Sequence, residues 1–245
     1  VEYSDADDYS VEVSNYVGTA TSKTAALVVQ TAVNGTFEDG DSTYKVLSNS
    51  ETPTVSITAT TATGAYTVPT TVTNPGGQTY TVTEIADEAF KGNTGLTSVV
   101  IPDGVTAIGE SAFEGCTNMT SVTIPDTVDT IGASAFKGCS KLDGVTIPDG
   151  VTEIAASTFE GCTKLATVTL PATGLTTIGD NAFAGCKTLT TAPIPATADT
   201  IGAGAFNGCT GLTSVTVTNE VDTIGAGAFE NCTGMTNIIL STNLT

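Results

Sequence analysis

The chain has 245 residues, and its 26 acidic groups face only 7 lysines, with no arginine and no histidine, for a net charge of −19. So acidic a surface repels phosphate, which argues against nucleic acid and anionic lipid as partners. No apolar run approaches the roughly 18 residues of a membrane-spanning helix, and without histidine the common Ser–His and Cys–His catalytic pairs cannot form.

Residues 1–64 are expected to form an N-terminal leader and β capping region. Val1 to Tyr9 is acidic and polar, Val11-Glu12-Val13 alternates like a short strand, and Ala25 to Val29 is an apolar run compatible with a strand or a short helix. The pattern leaves the structure of 1–35 open. The chain begins at Val1 without Met, which predicts that a leader peptide has been removed and that the protein works outside the cell or at its surface. Further on, Glu38-Asp39-Gly40-Asp41 reads as a turn between Phe37 and a strand at Tyr44-Lys45-Val46, and Val55-Ser56-Ile57 alternates.

Residues 65–245 read as a solenoid of 23–24-residue repeats, with 65–89 a degenerate first rung. There Tyr66-Thr67-Val68-Pro69 lines up with Val99-Val100-Ile101-Pro102, and Asn74-Pro75-Gly76-Gly77 followed by Tyr80-Thr81-Val82 reads as a hairpin insertion. From there the period is plain. Phe recurs at 90, 113, 136, 159, 183, 206 and 229, spaced 23 residues apart except for one step of 24. Cys follows three positions later at 116, 139, 162, 186, 209 and 232, and Asn93 takes that place in the first copy. A fixed period of this length means stacked repeats, because one copy cannot bury its own apolar face. The pattern Leu96-x-x-Val99-x-Ile101-Pro102 predicts a short strand ended by proline, which lacks the donor to continue a ladder. The Ala-Phe segment between two glycines, as in Gly109 to Gly115, is expected to be a 3₁₀ turn or a second short extended piece. Stacking should place rungs about 4.8 Å apart, with parallel strands in one continuous sheet and the seven Phe in one core column. The longer step, at Pro171-Ala172-Thr173-Gly174-Leu175, reads as a one-residue bulge whose register recovers at Ile178.

The repeat Leu-x-x-Val-x-Ile-Pro-x-x-Val-x-x-Ile-Gly-x-x-Ala-Phe-x-x-Cys resembles that of BspA-like (Treponema pallidum-type) leucine-rich repeat proteins, closely over 96–240 and loosely over 65–95. The resemblance implies a mostly β, right-handed solenoid: a curved parallel sheet on the concave face, 3₁₀ turns or short strands on the convex side, and an N-terminal β cap. It also implies a secreted or surface-attached bacterial protein, often one tied to adhesion or host-protein binding. The asparagine ladder of ordinary leucine-rich repeats would fall where this chain has Gly104 or Thr127; the Cys column replaces it.

The six equivalent Cys, pointing the same way, favour buried structural thiols over disulfides, and without His or a C-x-x-C a metal site is disfavoured. No cofactor and no catalytic residue is expected. Asp103, Asp126 and Asp149 share one turn position and Asp129, Asp199 and Asp222 another; solvated turn residues are favoured over a weak Ca²⁺ site. The exposed strand positions are small, neutral and hydroxylated. Ser121, Thr123, Thr146, Thr167, Thr169, Ser214 and Thr216 are the candidate binding residues for an extended host extracellular protein or glycan. The face lacks the Tyr, Trp and Arg anchors of tight interfaces, so weak or multivalent binding is expected. A spacer without a ligand and an unrecognised glycoside hydrolase are the alternatives; Gly144 and Pro193 interrupt a Thr-x-Thr array that could otherwise suit ice. The last strand, Met235 to Leu240, is expected to leave an edge open to edge-to-edge self-association.

Overall fold

The computed structural model describes 31–217 and 220–240 in full, and 8–9, 12–15, 18–21 and 25–26 as backbone. Expectations for Val11, for Leu27 to Val29 and for Ser241 to Thr245 lie outside the described residues. At the start, β1 (Asp8–Tyr9) pairs antiparallel with β4 (Ala25–Ala26), and β2 (Glu12–Asn15) with β3 (Gly18–Thr21). β5 (Thr36–Asp39) and β6 (Ser42–Ser48) form a hairpin, with Gly40 in the left-handed region at its turn. β6 then pairs antiparallel with β7 (Thr54–Thr60). Phe37, Tyr44 and Tyr80 pack together beneath this hairpin, with ring centroids 5.4–5.8 Å apart.

Beyond β7 the chain is a parallel β-solenoid of about eight turns, with no helix among the described residues. Each full rung contributes two strands. One column runs through β8 (Gly64–Thr67), β11 (Leu96–Val100), β13 (Ser121–Thr123), β15 (Gly144–Thr146), β17 (Thr167–Thr169), β20 (Ser214–Thr216) and β22 (Asn237–Ile239). The other runs from β10 (Thr79–Ile85) through β12 (Ala107–Ile108), β14 (Thr130–Ile131), β16 (Glu153–Ile154), β18 (Thr177–Ile178), β19 (Thr200–Ile201) and β21 (Thr223–Ile224). β9 (Thr71–Thr73) folds back antiparallel on β10, so the Asn74-Pro75-Gly76-Gly77 insertion is a hairpin. Tyr66 pairs with Val99, and Ile57 with Ile85, at the head of the two columns.

The second column corrects the expected position of the extended piece. It lies just before Gly109 and its equivalents, while the Ala-Phe segment is a run of turns. Those turns alternate their donors: Glu114 N–H and Cys116 N–H bond back within the turn, while Ser111, Phe113 and Gly115 N–H reach the carbonyls of Ala133, Ala135 and Lys137 in the next rung. Ser111 sits at φ 54° and Gly115 at φ 73°, and this alternation lets a turn act as a ladder. Inside it the phenylalanines stack, with centroids 4.7–5.5 Å apart from Phe90 to Phe229 and Tyr66 tilted over Phe90 at 5.8 Å. The six rings from Phe90 to Phe206 are fully buried, each contributing about 1.5–3 kcal/mol by area.

The expected continuous sheet is not continuous. Both strand columns part between the rung 119–141 and the rung 142–164, where β13 does not pair with β15 nor β14 with β16. In the second column one residue accounts for this. Gly109, Gly132, Gly179, Gly202 and Gly225 each donate to an isoleucine carbonyl one rung back, and a Cβ on any of them would lie within 2.3–2.8 Å of backbone in that rung. Ala155 holds this position in the rung 142–164. Its Cβ cannot be accommodated at the regular spacing, and Ala155 N–H does not bond Ile131 C=O. (Ala86 also replaces the glycine, but there the preceding strand β7 runs straight on and Ala86 N–H reaches Ile57 C=O at 2.9 Å.) Across this seam the rungs stay joined by Asp143 N–H to Thr120 C=O at 3.3 Å beside the first column, and through the Phe turns by Phe136 N–H to Thr158 C=O at 2.9 Å and the Lys137–Glu160 ion pair at 2.9 Å. A second break affects one column only. Pro193 stands where Thr169 and Thr216 stand in neighbouring rungs, has no N–H to give, and leaves a lone bridge between Thr191 and Ser214.

Candidate binding surface

The β11–β22 column carries the exposed hydroxyl face. Val99, Val145 and Val215 point into the core, so by the two-residue period their neighbours point out. Ser121, Thr123, Thr146, Thr167, Thr169 and Thr216 are exposed, and Ser214 is half-buried. The structure brings four of these seven together. Thr123, Thr146, Thr167 and Thr169 line an open groove of 380 Å³ that also takes in Asp143 and Gly144, with Val122, Ile124 and Val145 as an aliphatic floor. Ser214 and Thr216 lie further along the column, beyond the break at Pro193.

The groove lies where β13 and β15 do not pair and reaches across to β17. Val122 and Ile124 are half-buried, as are Val168 and Leu170 two rungs on. Gly144 adds no side chain, and the space a Cβ would need there is taken by Thr167 Oγ1, 2.6 Å from it. Asp143 stands in a column otherwise held by Thr97, Thr120, Ala166, Thr190, Thr213 and Thr236, so it puts the one carboxylate onto a neutral face. The sequence reading missed Asp143. Its signal was the departure from threonine, hidden because position 143 precedes the strand proper.

Hydroxyls beside the strands are already engaged. Thr120 Oγ1 donates to Thr97 C=O at 3.1 Å, Thr213 Oγ1 to Thr190 C=O at 3.2 Å, and Thr236 Oγ1 to Thr213 C=O at 3.0 Å. Thr127 and Thr197 donate in the same way to Val105 and Leu175 carbonyls at 2.7 and 2.6 Å. This last ladder occupies the position where ordinary leucine-rich repeats keep asparagine.

The repeated cysteines are sealed away from the surface. Every thiol donates to the carbonyl of the phenylalanine in the preceding rung, from Cys116 to Phe90 at 3.0 Å through Cys139, Cys162, Cys186 and Cys209 to Cys232 and Phe206 at 3.1 Å. All six are buried and free. Burial pushes Cys116 up to about 11 and Cys209 up to about 12, and holds Cys139, Cys162 and Cys186 well above the usual thiol range. Protonated, enclosed thiols are neither nucleophiles nor metal ligands. The turn aspartates Asp103, Asp126, Asp149, Asp129, Asp199 and Asp222 are exposed, and no group of three or more Cys, Asp or Glu suited to a metal occurs among the described residues.

The model of the BspA type leucine-rich repeat region matches residues 83–210 and 176–245, in six copies. The chain belongs to the BspA-type leucine-rich repeat family. Its fold is similar to that of the T. pallidum leucine-rich repeat protein, with 25% identity, 82% of this chain and 79% of that chain covered, and a TM-score of 0.55. A leucine-rich cell surface protein of Faecalibacterium prausnitzii is 29% identical over 86% of this chain and 77% of its own, with a TM-score of 0.50. The pneumococcal vaccine antigen PcpA shares the fold at 19% identity and a TM-score of 0.62, with 87% of this chain and 72% of that chain covered. No protein with a curated description matches the sequence. No helix among the described residues is long and apolar enough to cross a membrane.

Proposed function

We propose that this BspA-type solenoid is a non-enzymatic binding module, working outside the cell or at its surface, that takes an extended protein or glycan across the hydroxyl face. In this reading residues 65–245 form the binding solenoid and 1–64 its leader and cap. The observation that carries it is the groove at the seam, where Thr123, Thr146, Thr167 and Thr169 converge around Asp143 on an otherwise uncharged face. Weak binding is expected per site, since no aromatic or arginine anchor is present. A family relative described as a cell surface protein supports the location. The catalytic alternative gains no support from the cysteines, which are locked as hydrogen-bond donors within the core.

The test is a binding screen of the immobilised chain against extracellular matrix proteins and glycan arrays, in parallel with a Thr123→Lys/Thr169→Lys double variant that blocks the face. Binding retained by the parent and lost by the variant supports the module. If both forms bind nothing, or bind alike, the face is not a recognition surface and the solenoid is a spacer.

A further inference from the structure

Resting on that reading, we infer that the groove at the seam is a site for a neutral sugar residue, held edge-on by Asp143 and the surrounding hydroxyls. The rung 142–164 departs from the repeat at several positions at once, and two of these, Asp143 and Gly144, line the groove. Gly144 stands where neighbouring rungs have Ser121 and Thr167, and Asp143 stands where most rungs have threonine; in the second column of the same rung Ala155 replaces the column glycine. Thr158 replaces the column alanine and bonds Ala155 C=O at 2.8 Å, which ties down the altered corner.

The chemistry of the groove selects the ligand. In regular rungs Ile101 N–H bonds Thr123 C=O at 3.0 Å and Ile147 N–H bonds Thr169 C=O at 2.9 Å. At the seam Ile124 N–H and Thr146 C=O make no such bond, and both residues line the groove. Threonine hydroxyls both donate and accept, and a carboxylate accepts from two adjacent hydroxyls at once. A sugar ring offers adjacent hydroxyls that do both, with a C–H face to set against Val122, Ile124 and Val145. The volume, 380 Å³, lies at the small end of ligand sites, which run from about 300 to 1,000 Å³. No lysine lines the groove, and the acidic chain repels anions, so uronates and sialylated or sulfated sugars are disfavoured.

The experiment titrates the ¹⁵N-labelled chain with neutral tetrasaccharides (glucan, mannan, xylan and galactan fragments) and with tetragalacturonate as the anionic arm. The expected result is saturable shifts of the amides at Thr123, Asp143, Thr146 and Thr167 for at least one neutral fragment and none for tetragalacturonate. Asp143→Asn should weaken binding at least about tenfold, the factor that one lost hydrogen bond to a charged group is worth, and Gly144→Thr should weaken it by crowding Thr167 Oγ1, 2.6 Å from the added Cβ, while Asp103→Asn, the same charge change on an exposed turn, should not. No shift with any neutral fragment, equal binding of tetragalacturonate, or equal loss in Asp103→Asn overturns the inference. A matrix protein that still binds the face and is blocked by Thr123→Lys/Thr169→Lys would leave the binding-module reading standing; a face that binds nothing sinks both.

Discussion

At the scale of single residues, the repeated cysteine is a hydrogen-bond device. Phe90 C=O and its equivalents already accept one backbone N–H from their own turn, and the thiol of the next rung takes the second lone pair. Asn93 breaks the pattern because no phenylalanine rung precedes it; its amide donates instead to Ala62 C=O at 2.8 Å. Two outcomes follow for these thiols. A thiol reagent should label almost none of the six in the native chain and all six in denaturant. The second concerns alkali. Burial raises the folded thiols, so unfolded thiols ionise first as pH climbs past their ordinary value of 9.0 while folded ones stay neutral. Stability from this source is complete below pH 9 and is lost as pH rises toward the folded values. Each deeply buried thiol should cost about 1.4 kcal/mol per pH unit there. Urea midpoints between pH 8 and pH 10 should fall, and fall less steeply in Cys162→Ala; equal slopes would show that the thiols are not the source. The ring behind them carries more. Phe159 is fully buried between Phe136 and Phe183, at 5.5 and 5.4 Å, and Phe159→Ala should cost about 3–5 kcal/mol in denaturant unfolding.

Elements are where the sequence was most and least readable. The Phe period, the Val-x-Ile strands and the hairpin at Asn74 to Gly77 were legible because each has a signal of its own length: a fixed step, a two-residue alternation, a turn tetrapeptide. The second strand column was not, because Thr130-Ile131 and its equivalents are two residues long and show no alternation. The seam was hidden for a different reason. A change from glycine to alanine at 155 looks conservative until the backbone of the neighbouring rung is known to sit where the Cβ must go. The four hydroxyls of the groove could be named from the strand pattern, whereas the groove they line also takes in Asp143, which stands before the strand proper. The same geometry predicts the converse substitution. A Cβ at Gly202 would lie 2.5 Å from Asp180 N, so Gly202→Ala should part β18 from β19 and cost about 1–3 kcal/mol. Native-state hydrogen exchange is the readout: the Gly202 amide, bonded to Ile178 C=O at 2.7 Å, should lose protection in the variant toward the level of Ala155 in the parent. Unchanged protection would mean that rung spacing adjusts without opening.

For the whole molecule the question is where the charge sits. Glu110, Glu114, Glu160 and Glu230 belong to the Phe turns, and Asp103, Asp126, Asp129, Asp149, Asp199 and Asp222 to the turns between the two strand columns. The hydroxyl face holds Asp143 alone. Only three ion pairs, all formed by Lys91 or Lys137, offset this charge among the described residues, and exposed pairs are worth little. A chain of net charge −19 therefore pushes against itself along its length, and a stacked solenoid feels that repulsion at each interface between rungs. Raising salt from about 0.01 M to about 1 M shortens the screening distance from about 30 Å to about 3 Å. The melting temperature should rise over that range, since repulsion between turns is relieved while the Phe core is untouched. Binding at the hydroxyl face should respond differently. A neutral sugar gains nothing from long-range attraction, so its affinity should stay level while stability climbs. A basic protein drawn in by the acidic turns would lose affinity steeply over the same range. Measuring both quantities on one salt series separates the two ligands: a steep fall in affinity identifies charge steering, and a flat line with a rising melting temperature identifies recognition by the groove.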